Sequence, residues 1–193
     1  HRAVMLGSLC DGSTVIRNFP HHLDASATVR VLRAFGVKIT QKNSSIIVRG
    51  SGLFGLKEPA GQVSAGESGT TFRLMLGILA GQMFRSSLTA EPSLLRRPML
   101  RVTAPLRAMG AVIKARKVGK EEYAPVTITG GCLHSIYYRL PVASAQVKSA
   151  ILFAGLYSRG ITSVVEPLPT RDHTERMLRS FGVRVICRGN RIS

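Results

Sequence analysis

Apolar and polar residues follow two helical patterns along this chain, and each pattern occurs three times. In the first pattern, apolar or half-apolar residues fall at i, i+3, i+4 and i+7, one stripe of an amphipathic helix. The stripes are Thr28, Val31, Leu32, Phe35; then Val102, Pro105, Leu106, Met109; then Thr174, Met177, Leu178, Phe181. Each ends in a similar phrase: LRAFGV at 32–37, LRAMGA at 106–111 and LRSFGV at 178–183. Gly36, Gly110 and Gly182 stand where a left-handed residue closes a helix. They lie 74 and 72 residues apart, which predicts a unit of seventy-odd residues repeated three times. The second pattern is apolar almost all round: AVMLGSL at 3–9, TFRLMLGILAG at 71–81 and QVKSAILFAGLY at 146–157. Helices of this kind are predicted to be buried on every side. Short β-rich stretches follow them (STVI, SSLTA, ITSVVEP), and paired β-rich stretches follow the three glycines (VKIT and SIIVRG, AVIKARK and PVTITG, VRVICRG and NRIS).

These patterns predict an α/β (α+β) fold over residues 1–193, one domain of three units at about 1–50, 51–130 and 131–193. Each unit reads β–helix A–β–helix B–β–β, with helix A inside and helix B more exposed. Helix A of the second and third units begins near Thr70 and Ser144, after a strand. The matching point in the first unit falls before residue 1, and NRIS breaks off within a strand. The chain is therefore expected to be a piece of a longer protein, with the first repeat truncated at its N-terminus.

Composition sharpens the picture. Hydrophobic residues make up 45% and aromatic residues only 6%, as in a globular protein packed with small aliphatic groups. The longest apolar run, Leu74 to Phe84, is broken by two glycines and a glutamine and is too short to span a bilayer. Cys10, Cys132 and Cys187 are far apart with no CxxC, so neither a disulfide framework nor a zinc site is indicated, and a reducing compartment such as the cytoplasm is expected. The net charge of +17 attracts anions: nucleic acid, a membrane surface or small phosphorylated substrates. The basic residues are scattered with few aromatics among them, which disfavours a nucleic-acid-binding module. An acidic partner segment outside the sequence would also account for the surplus.

Three equivalent units around an axis would aim equivalent helix ends the same way. Helix N-termini carry free N–H groups and partial positive charge, and so favour anions. The helix A starts read HR (1–2), GESGT (66–70) and ASAQVK (143–148), and the helix B starts read HHLDA (21–25), LLRRPM (94–99) and TRDHTE (170–175). Glycine, serine, threonine and arginine at convergent N-termini describe a phosphate and carboxylate site. Each has a plainer reading too. Thr70 and Ser144 can be simple caps, and Arg97 can be solvated ahead of Pro98 as a first helical residue. Asp24 is expected to cap its own helix. Asp172 and Glu175 are expected to form a D-x-x-E capping box, which leaves Arg171 as the anion ligand. His21 and His22 are expected in solvent, with no third ligand at metal-binding spacing, and no Ser-His-Asp or Cys-His constellation is present. No metal or cofactor is expected. Arg73 and Lys148 fall one turn into helix A, where an inward charge requires an anion or carboxylate partner.

The stretch SAQVKSAILFAGLYSRGITSVVEPLPTRDHTERMLRSFGV, together with RRPMLRVTAPLRAMGA and GESGTTFRL, resembles 5-enolpyruvylshikimate-3-phosphate synthase in order and spacing over essentially the whole chain. The resemblance implies an enolpyruvyl transferase domain, an inside-out α/β barrel of three units about a pseudo-threefold axis, and a second domain outside this sequence. It implies transfer of the enolpyruvyl group of phosphoenolpyruvate to shikimate-3-phosphate with release of phosphate. By the same resemblance Ser144, Ala145, Gln146 and Arg171 match shikimate-3-phosphate contacts, and Arg2 matches the arginine of a K-S-x-x-x-R motif. Gly69, Arg97 and again Gln146 match phosphoenolpyruvate contacts, a site for which glyphosate would contend. The catalytic carboxylates and lysine would belong to the other domain, so this chain alone should bind substrate without turnover. Two residues depart from the family: Glu67 replaces a usual Asn and Leu100 a common Gly. Glu67 would place a carboxylate near the anion site, either weakening phosphoenolpyruvate binding or being balanced by Arg73. The related transferase acting on UDP-N-acetylglucosamine shares the fold, but SAQVK and RRPM speak against it.

Overall fold

The computed structural model describes residues 1–193. The chain begins with α1 (Arg2–Leu9), β1 (Ser13–Ile16), α2 (Leu23–Ala34) and the hairpin β2 (Lys38–Lys42) and β3 (Ser45–Arg49). Next come β4 (Val63–Ser64), α3 (Gly69–Leu79), β5 (Arg85–Thr89), a one-turn α4 (Pro92–Leu95) and α5 (Leu100–Ala108). A longer hairpin, β6 (Val112–Val118) and β7 (Glu121–Thr129), follows. The last stretch holds β8 (Leu133–His134), β9 (Tyr137–Arg139), α6 (Ala145–Gly155), β10 (Ser158–Arg159), β11 (Ser163–Val165), α7 (His173–Ser180), β12 (Cys187–Arg188) and β13 (Arg191–Ile192).

Three sheets form, with strand orders β1-β3-β2, β4-β5-β7-β6 and β12-β13-β11-β9, beside a two-residue parallel pair of β8 and β10. The hairpins pair antiparallel, while β4 runs parallel to β5 and β9 to β11. Alternation decides which face turns inward: Ile46 and Val48 of β3, and Val126 and Ile128 of β7, point into the core. The three all-apolar segments are the buried helices. From Val4 to Leu9, from Thr71 to Leu79 and from Val147 to Ala154, every residue is buried. They belong to one apolar cluster of 48 residues that also takes in side chains of all three sheets, so sheets and helices share a single core.

Helices α3 and α6, and the residues just after them, approach closely in that core. A Cβ on Gly77 would lie 2.2 Å from the Ala150 carbonyl oxygen, and one on Gly81 would lie 2.0 Å from the Tyr157 ring. Backbone therefore meets backbone where any larger residue would hold the helices apart.

Gly36, Gly110 and Gly182 have φ of 86°, 106° and 83°, the left-handed geometry that ends a helix. The arginine in each LR phrase bends over this turn. Arg33 donates through Nε and Nη2 to the Ile39 carbonyl, Arg107 through the same atoms to Ile113, and Arg179 through Nε to Val185. Each guanidinium thus ties the end of a helix to the segment that follows it.

Several local expectations are corrected. His22, not Asp24, caps α2: its Nδ1 accepts from the Ala25 N–H at 3.2 Å, and Asp24 sits in the first turn. Helix α3 starts one residue before Thr70, with Ser68 as its cap. Pro98 precedes α5 without opening it, and Met99 holds the cap position. Asp172 occupies the cap of α7 but makes no side-chain cap bond, and Glu175 is engaged elsewhere, so no capping box forms.

Replacing Gly77 by alanine should force α3 and α6 apart and lower stability by about 1–3 kcal/mol. Gly61→Ala, where the new Cβ meets nothing within 4 Å, is the control and should be nearly neutral. Chemical denaturation midpoints of the two variants test this; equal midpoints would show the close approach to be dispensable.

Candidate functional site

Hydrogen bonds among residues of the first two turns tie the N-terminal ends of five helices into one ring. His1 Nδ1 lies 2.6 Å from Thr28 Oγ1, joining α1 to α2, and Thr28 Oγ1 lies 2.7 Å from Thr71 Oγ1, joining α2 to α3. Gln146 joins α3 to α6: its Nε2 donates to Thr70 Oγ1 at 3.0 Å, and its Oε1 accepts from Arg73 Nη1 at 2.7 Å. Ser149 Oγ meets Thr174 Oγ1 at 2.6 Å, joining α6 to α7. Arg2 closes the ring by donating from Nε to Thr174 Oγ1 at 2.5 Å and from Nη2 to Ser149 Oγ at 3.1 Å. The start of α5 is attached from the side, through the Pro98 carbonyl, which accepts from Arg73 at 3.4 Å. Glu122 of β7 secures it from behind, taking Thr103 Oγ1 at 2.5 Å and Arg107 at 2.9 Å. Burial alone would raise the Glu122 carboxyl, but these hydrogen bonds and the Arg107 charge hold it below the usual range.

Helix N-termini gathered in this way pool unpaired N–H groups and dipole charge. Ser68 and Ser144 consume one N–H each, bonding Thr71 and Val147. The remaining donors, with the arginines around them, make this end electropositive and suited to anions.

Each residue singled out in the sequence lies at this end. Ser144, Ala145 and Gln146 form the cap and first turn of α6. Arg2 opens α1, and Arg171 stands exposed just ahead of α7, close enough for its charge to act on Arg2. Gly69 opens α3, where a Cβ would lie 3.0 Å from Arg73 Nη1 and 3.6 Å from Arg97 Nη1, so Gly69, Arg73 and Arg97 share one patch. Glu67 does not balance Arg73; its carboxylate turns outward and accepts from Ser93 Oγ at 3.0 Å. The hydroxyls of Thr28, Thr71, Ser149 and Thr174 were not singled out as site residues. In sequence each is an ordinary small residue on a buried helix face, and only helix convergence gives it a partner.

The two inward cations have different surroundings. Lys148, 1% exposed, lies 2.8 Å from Glu166 and 2.6 Å from Glu175, as a buried ammonium requires. Arg73, 9% exposed, has no carboxylate at all, and its Nε has no hydrogen-bond partner. Burial, and then the charges of Arg101 and Arg97, push its guanidinium down to about 10. That direction reflects a positive charge without a counterion. A groove of about 500 Å³ lined by Leu152, Leu156, Ile161, Leu178, Val185 and Ile186 among others contains none of the residues singled out for the site.

A family model for EPSP synthase (3-phosphoshikimate 1-carboxyvinyltransferase) matches residues 1–192. The chain belongs to the EPSP synthase family. It is 55% identical to the 3-phosphoshikimate 1-carboxyvinyltransferase of Alkalilimnicola ehrlichii, over all of this chain and 43% of that protein. It is 53% identical to the enzyme of that name from Geobacillus thermodenitrificans, over all of this chain and 44% of the other. A solved structure of EPSP synthase from Acinetobacter baumannii superposes with a TM-score of 0.95 at 49% identity, covering 100% of this chain and 43% of that one. The chain thus has the fold of an EPSP synthase segment and spans less than half the length of these relatives.

Arg73→Met removes the uncompensated charge. Without ligand, the variant should be more stable than the parent by about 1 kcal/mol, since an unpaired buried ion is replaced by an apolar chain. Inorganic phosphate should raise the melting midpoint of the parent more than that of the variant. A variant that melts lower in plain buffer would mean the guanidinium is already compensated.

Proposed function

We propose that this chain is most of one domain of a two-domain EPSP synthase, with three β–α–β–α–β–β units about a pseudo-threefold axis forming an inside-out α/β barrel. In this reading its helix N-termini bind shikimate-3-phosphate and phosphoenolpyruvate in the cytoplasm, without a cofactor. The single observation that carries the reading is Arg73, a buried guanidinium without a carboxylate at the meeting point of the helix starts. Such a charge calls for an anionic ligand. Family membership supplies the identity of the anions.

The roles divide by position. Ser144, Ala145 and Gln146 at the start of α6, with Arg171 and Arg2, hold shikimate-3-phosphate. Gly69 offers an N–H at the start of α3, and Arg97 and Gln146 complete the phosphoenolpyruvate side. Gln146 stands between the two sides, since it belongs to α6 while its amide bonds Thr70 and Arg73 of α3. The substrate hydroxyl gives up its proton and adds to C2 of phosphoenolpyruvate as C3 is protonated; the tetrahedral adduct then loses phosphate from C2 and a proton from C3, which restores the enol double bond. Positioning and charge stabilisation are the contribution of this half. Proton transfer needs groups within hydrogen-bond reach of the hydroxyl and C3, and those belong to the segment outside this chain. Family membership weighs against both the UDP-N-acetylglucosamine transferase and the nucleic-acid readings.

Calorimetry of the 193-residue chain should detect weak shikimate-3-phosphate binding, and a phosphate-release assay should detect no turnover. Arg171→Ala should weaken shikimate-3-phosphate binding by about 1.5–3 kcal/mol, the worth of a charge-assisted hydrogen bond. Arg97→Ala should affect that ligand less and phosphoenolpyruvate more. Equal losses for both ligands in both variants would sink the assignment, and sustained phosphate release would show that the other half is not required.

A further inference from the structure

Two carboxylates, Glu166 and Glu175, lie buried directly behind the proposed shikimate-3-phosphate site, an odd place for negative charge in a site that must accept an anion. Both are 4% exposed or less. Glu166, just past β11, reaches Lys148 through Oε2 at 2.8 Å; its Oε1 accepts from Thr170, and its main chain is held by Asn190 at 3.0 and 2.8 Å. Glu175, in the first turn of α7, reaches the same ammonium through Oε1 at 2.6 Å, and its Oε2 has no hydrogen-bond partner. Arg2 is a competing cation whose charge feels Glu175. Its guanidinium rests on two neutral hydroxyls, those of Thr174 and Ser149, and makes no ion pair. Thr174 is the residue next to Glu175, so the carboxylate and the guanidinium are neighbours that do not join. Burial lowers Arg2 and the charge of Glu175 partly restores it, which places that carboxylate within electrostatic reach.

We infer that Lys148 is a positioning residue that keeps the substrate-binding arginine free: by holding both buried carboxylates, it stops Glu175 from capturing Arg2. The inference rests on the proposed role of Arg2 in binding. Without the ammonium, the unpartnered oxygen of Glu175 and the guanidinium form the obvious buried pair. Arg2 would then turn its donors inward and leave the hydroxyls that aim it at the ligand. Lys148 touches no ligand itself, and its effect passes entirely through Glu175 and Arg2.

The test is a charge-matched pair of double variants. Lys148→Met/Glu166→Gln leaves the carboxylate beside Arg2, while Lys148→Met/Glu175→Gln leaves the one held by Thr170 and Asn190. Both remove one positive and one negative charge from the same cluster, so a purely structural role would affect them alike. Calorimetry with shikimate-3-phosphate should show the first weakened about tenfold or more, and the second within about threefold of the parent. Equal losses, or no loss in either, would overturn the inference. If the double variants do not fold, Glu175→Gln alone decides: it keeps the Lys148–Glu166 pair and should bind as well as the parent or better, whereas weaker binding would make Glu175 a clamp. If the parent itself binds no shikimate-3-phosphate, the functional reading fails separately. Crystal structures of the two double variants then decide whether Arg2 pairs with Glu175 in the first alone, as expected, or stays on Thr174 and Ser149 in both, which refutes the inference.

Discussion

The contact on which the arrangement depends is backbone against backbone, Gly77 of α3 against Ala150 of α6. Two helices that approach this closely and run the same way must start at the same end of the molecule. Their first turns are then within reach of one side-chain amide, Gln146, which bridges them. Around this pair, α1, α2 and α7 join through a ring of hydroxyls and one arginine. Like ends of helix dipoles repel when brought together. The core of 48 residues outweighs that repulsion, and the result is a fixed positive potential at one end of the fold. The positive potential here is a consequence of how the interior packs, before any ligand is considered.

Arg73 and Lys148 show how the chain divides that potential. Both are basic, buried and one turn into a central helix. Lys148 is given two carboxylates, while Arg73 is given an amide and a carbonyl. One cation is therefore spent on holding α6 to α7 and to the end of β11, and the other keeps a charge that packing does not satisfy. Glu67, the acidic residue closest in sequence to the anion patch, is drawn off by Ser93 and does not cancel it.

Much of this was legible before any coordinates. The all-apolar segments became the buried helices, the glycines after the LR phrases have left-handed geometry, and the residues picked out at helix starts lie at one end. What failed was local hydrogen bonding, and for a definite reason. A capping box read from D-x-x-E assumes that Glu175 has no better partner, yet Lys148 lies 27 positions earlier in the chain and captures it. Asp24 loses the cap of α2 to His22 because the imidazole nitrogen reaches the Ala25 N–H. Pro98 stands outside α5, its carbonyl turned to Arg73. Two of these errors, at Glu175 and Pro98, came from judging a residue by its neighbours in sequence when its partner sat on another helix; the third, at Asp24, overlooked a competing cap two residues away.

The three arginine straps span only six residues each, from Arg33 to Ile39, Arg107 to Ile113 and Arg179 to Val185. Closing so short a loop costs little chain entropy. The contact of Gly77 with Ala150, by contrast, closes a loop of more than seventy residues and carries a larger entropic cost. The corners of the fold are thus held by contacts each stretch of chain can make for itself, while the electropositive end exists only as a product of long-range docking between the buried helices.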